Sequence, residues 1–145
     1  MTRIEENTKT VREFMELVWS KGEIEVAERI VDPNFQFILA FAHLDGREAF
    51  LGLVNRNRGV FENLTYTVAP DDIVAEELKA ATFWTMSSKH IGTWRNVPAS
   101  NKDVAIQGMT FFRFNDEGKL IEARVQNDVM SLMTQIGGIK KLYDF

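Results

Sequence analysis

The chain has 145 residues, 45% hydrophobic and 26% charged. That supports one buried core and excludes a disordered or membranous chain. Its formal charge of −4, from 17 basic and 21 acidic side chains, argues against a nucleic-acid surface as the main business. With no cysteine there are no disulfides, cysteine–zinc sites or thiol nucleophiles, and two histidines, His43 and His90, are too few for a histidine-rich metal site.

The chain opens on Met-Thr-Arg-Ile-Glu-Glu, which lacks the apolar core of a signal peptide. No run approaches the ~20 residues of a membrane helix, so a cytoplasmic protein is expected. Thr10-Val-Arg-Glu13 resembles a capping box, and Val11, Phe14, Met15 and Val18 follow at helical spacing until Gly22. Residues 23–31 read as a second short helix, broken by Asp32-Pro-Asn34. The apolar run 35–42 reads as a first strand. Asp45-Gly-Arg-Glu48 then opens a third helix that buries Phe50, Leu53 and Val54, and His43 falls in the loop before it. From Asn63 the pattern turns to strand: Leu64 to Val68 alternates, Asp71 to Ala75 follows Pro70, and Leu78 to Lys89 is long.

The densest signal lies between Lys102 and Gly137. Asp103 to Phe114 is rich in β-branched and aromatic residues, and Asn115-Asp-Glu-Gly-Lys119 is turn chemistry. The return arm puts Ile121, Ala123 and Val125 on one face and Glu122, Arg124 and Gln126 on the other, and Asp128 continues the polar face. A strand ending in a carboxylate on its polar side can place that group in a cleft. Residues 129–136 read as a last short helix, followed by a charged and aromatic tail from Ile139 to Phe145.

Helices first and strands later predict a single α+β domain over residues 1–145. Its antiparallel sheet is strongly curved and wraps three N-terminal helices as a cone with an open, hydrophobic end. Phe111 and Phe112 are neighbours and point to opposite faces, so both faces of their strand need cover. Helices cover one; a second copy of the chain is the simplest cover for the other, so a homodimer is expected.

Three stretches together resemble the SnoaL-like polyketide cyclases, a branch of the nuclear transport factor 2-like superfamily. His90-Ile-Gly-Thr-Trp-Arg-Asn-Val-Pro-Ala-Ser-Asn-Lys102 is similar to the family's His-x-Gly and its following Gly-Ile-Pro-Pro-Thr-Gly-Lys loop. Gly108-Met-Thr-Phe-Phe-Arg-Phe114, with Gly118-Lys-Leu-Ile-Glu122, is similar to its strand–turn–strand. Asp128-x-x-x-Leu132-x-x-Gln135-x-Gly137 is similar to its closing motif. The resemblance spans residues 8–137. Asn96, Ala99 and Asn101 depart from the family's Gly, Pro and Gly, and Ala123 and Arg124 stand where His and Trp are frequent.

The resemblance implies that Asp128 is a general base, taking an acidic proton from a polyketide ester before an intramolecular aldol attack. It implies no metal or organic cofactor. Burial in an apolar cone would raise a carboxylate from its usual pKa of ~4 toward that task. Asp128 also immediately precedes a helix and reads equally well as its N-cap. His90 is a candidate helper to a substrate oxygen, or a structural histidine bonded to a loop. Arg124 reads as a ligand-binding group or as half of a salt bridge with Glu122. Trp19, Trp84, Trp94 and Phe112 are candidate walls for a flat ligand, against the alternative of ordinary core. Tyr66 and Tyr143 are the phenols; Tyr66 facing the pocket beside an acid would suit an oxyanion-hole isomerase. Gln126 stands where an Arg-x-Asp pair would supply the charge of an epoxide hydrolase. The function expected is therefore cofactor-independent acid–base chemistry on a small hydrophobic carbonyl compound. The alternative is a non-catalytic binding protein of the same fold.

Overall fold

The computed structural model describes residues 1–140, so most of the expected tail, with Tyr143, lies outside the described residues. Helix α1, Arg3–Glu13, starts earlier than the Thr10 signal. Its cap is Thr2, whose side chain accepts the Glu5 N–H at 3.1 Å. The first two turns bury only the polar Asn7 and leave Ile4 exposed, so the apolar periodicity begins well inside the helix. From Phe14 to Trp19 the helix widens into a π-helix that buries Phe14, Met15, Val18 and Trp19. Gly22 ends it at φ 65°, a left-handed conformation that suits glycine. The Arg58 guanidinium donates to the free carbonyls of Trp19 and Ser20 there.

Helix α2 is Ile24–Ile30 and strand β1 is Val31–Ile38. Pro33 therefore sits inside a strand rather than in a break, and the pairing irregularity between Val31 and Gln36 accommodates its missing N–H. His43 belongs to a short edge strand, β2 (His43–Asp45), not a loop. Helix α3, Arg47–Val60, is capped by Gly46 without a side-chain bond, so the expected Asp45 cap does not form. Strands β3 (Phe61–Thr67), β4 (Ile73–Ala75), β5 (Lys79–His90), β6 (Asp103–Phe114) and β7 (Leu120–Asn127) follow, and α4 is Val129–Gln135.

The sheet order is β2-β1-β7-β6-β5-β3, with β4 also on β5. Every pairing is antiparallel except β1 with β7, so the sheet is mixed rather than purely antiparallel. The helices pack on one face of it, giving the α+β architecture. The core centres on Phe14, which stacks on Phe50 at 5.1 Å and meets Phe112 edge-on at 5.3 Å. Phe112 is fully buried while Phe111 is only half-buried, as their opposite faces require. On the outer face Phe83 and Met109 are cross-strand partners, and both are exposed. Among the described residues no helix is long and apolar enough to cross a membrane.

Candidate functional site

A cavity of about 90 Å³, counted as space open to the centre of a water molecule, lies between the helices and the sheet. The π-helix supplies Met15 and Trp19, β1 supplies Phe37, and α3 supplies Leu53 and Asn57. The sheet contributes Phe61, Leu64 and Tyr66 from β3, Trp84 and Met86 from β5, Ile106 and Thr110 from β6, and Val125 and Asn127 from β7. Val129 and Leu132 of α4 close one side; Phe41, Trp94 and Arg95 stand on loops at the rim.

The aromatic wall is fixed by a chain of contacts. Trp19 meets Tyr66 at 5.4 Å, and Tyr66 meets Trp84 edge-on at 5.0 Å. Trp84 donates its indole N–H to Thr110 Oγ1 at 3.0 Å. Gly108, its partner across the ladder, leaves the indole room: a Cβ there would lie 2.3 Å from the ring. Ser20 ties the wall to the helix, accepting the Tyr66 N–H at 2.8 Å and donating to carbonyl oxygen. One glycine and two hydroxyls thus hold the rings in place.

Four neutral polar residues, Asn57, Tyr66, Thr110 and Asn127, are on the lining of this apolar space. The side chains of Asn57, Tyr66 and Asn127 make no hydrogen bond with any described residue. Thr110 accepts from Trp84 and keeps its own O–H to donate. Burial pushes the Tyr66 phenol well above its usual pKa, so it stays a neutral donor. Arg95 is the single charged side chain on the described lining.

The expected site residues separate. Trp19, Trp84 and Trp94 all line the cavity. Phe112 does not; it is sealed in the core against Phe14. Asp128 is exposed and off the lining, and its Oδ1 accepts the Ser131 N–H at 3.0 Å as the N-cap of α4. The strand's alternation explains this: Asp128 shares the outward parity of Arg124 and Gln126, whereas Asn127 shares the inward parity of Ala123 and Val125. Arg124 is exposed and pairs with Glu122 at 3.0 Å, away from the cavity. Its hydrogen bond, with Arg113 adding to it, holds the Glu122 carboxyl below the usual range.

His90 is fully buried but is not on the cavity wall. Its Nδ1 accepts the Ser100 N–H at 3.1 Å, which assigns the ring proton to Nε2. Its backbone bonds Asn101 and Lys102, so His90 anchors the loop 91–102 at its base. His43 bonds the Gln36 side chain at 2.6 Å on the edge strand. Within the anchored loop, Asn96 and Asn101 are left-handed at φ 66° and 58°. Asparagine is the side chain that tolerates this best, which explains how the loop keeps its path where the resemblance expects glycine.

Sequence reasoning missed Asn57, Thr110, Asn127 and Arg95. Strand parity alone could have found Asn127, and the inward run Ile106, Gly108, Thr110 could have found Thr110. Among the described residues no group of three or more His, Cys, Asp or Glu side chains is placed to hold a metal ion.

Comparison with known proteins agrees with this architecture. A structure of a candidate SnoaL-like polyketide cyclase from Jannaschia sp. CCS1 is similar over 97% of this chain and 98% of that one, with 22% identity and a TM-score of 0.85. TsrD from Streptomyces laurentii matches over 93% and 97%, with 21% identity and a TM-score of 0.82. IdmH, a candidate polyketide cyclase from Streptomyces antibioticus, matches over 90% and 98%, with 22% identity and a TM-score of 0.75. No curated protein matches the sequence significantly. The family model for SnoaL-like polyketide cyclase matches residues 9–136, nearly the whole domain, and the chain belongs to that family.

Proposed function

We propose that this protein binds a small, flat, largely apolar carbonyl compound in the cavity and holds its oxygens with neutral hydrogen-bond donors. One observation carries the reading: the described lining is apolar and aromatic, with three tryptophans and the polar groups of Asn57, Tyr66, Thr110 and Asn127, and without a carboxylate or imidazole. Such a surface fits conjugated rings, and its few polar groups set orientation. Polar groups that line such a space fix the orientation of a ligand oxygen placed against them. Titration calorimetry with methyl cinnamate, a flat neutral ester, tests this. Saturable binding that is lost in Leu53→Trp, which fills the cavity from α3, supports the reading. Equal binding by both proteins would overturn it.

A proton-abstracting cyclase is the second reading. It is favoured by the family and by the place of Asp128 between two lining residues, Asn127 and Val129. Turnover of a polyketide ester that disappears in Asp128→Asn would select it over pure binding.

The same proposal extends to a homodimer through the outer face of the sheet, where Phe83 (37% exposed) and Met109 (53% exposed) lie side by side. Sedimentation of the wild type against Met109→Lys reads it: a dimer that becomes a monomer is expected.

A further inference from the structure

We propose that Arg95 is a specificity-determining residue, selecting ligands whose outer end carries an anion, a carboxylate or an enolate, on an otherwise apolar conjugated body. This rests on the binding reading above and names the class of ligand for the same cavity.

The rim is built around this guanidinium. Trp94, Arg95, Asn96 and Val97 form a tight two-residue turn, closed by hydrogen bonds between Trp94 and Val97 in both directions at 2.9 and 2.8 Å. Arg95 and Asn96 are both left-handed, at φ 46° and 66°. That conformation is unfavourable for arginine, whose side chain gains nothing from it locally. The turn projects the side chain to the rim, where its Cζ lies 5.1 Å from the Phe41 ring and 4.9 Å from the Trp94 ring. It therefore touches rings from two separate loops, both of which are on the cavity lining.

Its contacts leave the functional part free. Neither ring offers a lone pair to its N–H groups, which stay available as donors. No described residue gives Arg95 a hydrogen bond or an acidic partner, although acidic side chains outnumber basic ones in the chain. Arg12, Arg29, Arg113 and Arg124, by contrast, each pair with a glutamate. A cation placed on aromatic faces, beside a space with no described acid, presents an unused fork that matches a carboxylate in two-point geometry. The inner polar groups are all neutral. A ligand complementary to the whole site is therefore polarised: neutral oxygens inward, negative charge at the mouth.

The experiment compares cinnamate with methyl cinnamate, which differ in the charge of one end, by calorimetry at low salt. The wild type is expected to bind cinnamate about tenfold more tightly than the ester, on the order of one charge-assisted pair at a partly wet rim. Arg95→Gln should abolish that preference, and a thermal melt and far-ultraviolet circular dichroism matching the wild type report that the variant is folded. Arg95→Lys should keep part of it, since a point charge remains without the fork. Salt should weaken cinnamate binding only. Equal affinities in the wild type, or a preference that survives Arg95→Gln, would overturn the role of Arg95 and leave the binding reading standing. Failure of both compounds to bind would overturn the two together.

Discussion

Asn127 ends β7 and Asp128, the next residue, begins α4 as its cap, and the two side chains part company. Asn127 lines the cavity, and Asp128 faces solvent and caps α4 through the Ser131 N–H at 3.0 Å. The strand period of two puts Asn127 on the side of the buried Ala123 and Val125, and Asp128, just past the strand, turns outward to cap the helix. The group on the cavity lining is therefore a neutral amide, while the carboxylate caps the helix.

Asp128 should behave as a cap. Asp128→Ala is expected to lower stability by about 1 kcal/mol, and Asp128→Asn by much less, because asparagine caps nearly as well as aspartate. Chemical denaturation checks both. Affinity for methyl cinnamate should be unchanged in either variant.

Thr110→Val tests the support of the aromatic wall. It keeps the shape of the side chain but leaves the Trp84 indole N–H, now bonded at 3.0 Å, without an acceptor in a buried place. A loss of about 1–3 kcal/mol is expected in urea unfolding. The near-ultraviolet circular dichroism of the tryptophans should change with it.

Gly108→Ala tests the same wall from below. The added methyl would lie 2.3 and 2.5 Å from two Trp84 ring atoms and 2.9 Å from the Gln126 carbonyl oxygen. Neither a packed indole nor ladder backbone gives way easily, so overpacking should cost about 1–3 kcal/mol. The cavity should deform and methyl cinnamate binding should weaken. Normal stability with normal binding would contradict the assigned geometry.

The pH dependence of stability should carry the mark of Glu122. Its carboxyl is held below the usual range, chiefly by the hydrogen bond from Arg124, so it contributes stability above its unfolded pKa. That contribution is lost as pH falls through the lower, folded value. Arg124→Gln should therefore narrow the stability difference between neutral and acid pH, and thermal melts across that range read it. Because Arg124 is largely exposed, the effect should be small and should shrink in high salt.

Much of the architecture was legible because it depends on patterns a sequence displays directly. The long β6–β7 hairpin follows from alternation and the Asn115–Lys119 turn, and the helices-then-strands order predicted the layers. What stayed hidden depends on partners distant in sequence. The parallel pairing of β1 with β7 could not be read from β1 alone. Pro33 argued for a break, yet an irregular edge of the pairing accepted it. The start of α1 was misplaced because its exposed first turns carry no apolar stripe. In the site, all three tryptophans stand on the cavity lining, where large rings near the edge of a core come to rest. For Asp128 the sequence left a pocket acid and a helix cap both open, and the bond to the Ser131 N–H is the cap. Phe112 was assigned to the wall because an inward-facing residue meets either core or cavity, and the helix bearing Phe14 decides which. Arg95 was invisible as a rim residue until the left-handed turn showed where its side chain goes.

The most direct test of the binding account uses the tryptophans themselves. The chain has three, and Trp19, Trp84 and Trp94 all line the cavity. Their indole N–H signals in a nitrogen–proton correlation spectrum can be followed as methyl cinnamate is added to the wild type and to Asp128→Asn. The account predicts that all three signals shift saturably, with the same affinity in both proteins. Signals that stay still, or shifts that vanish with the Asp128 carboxylate, would contradict it.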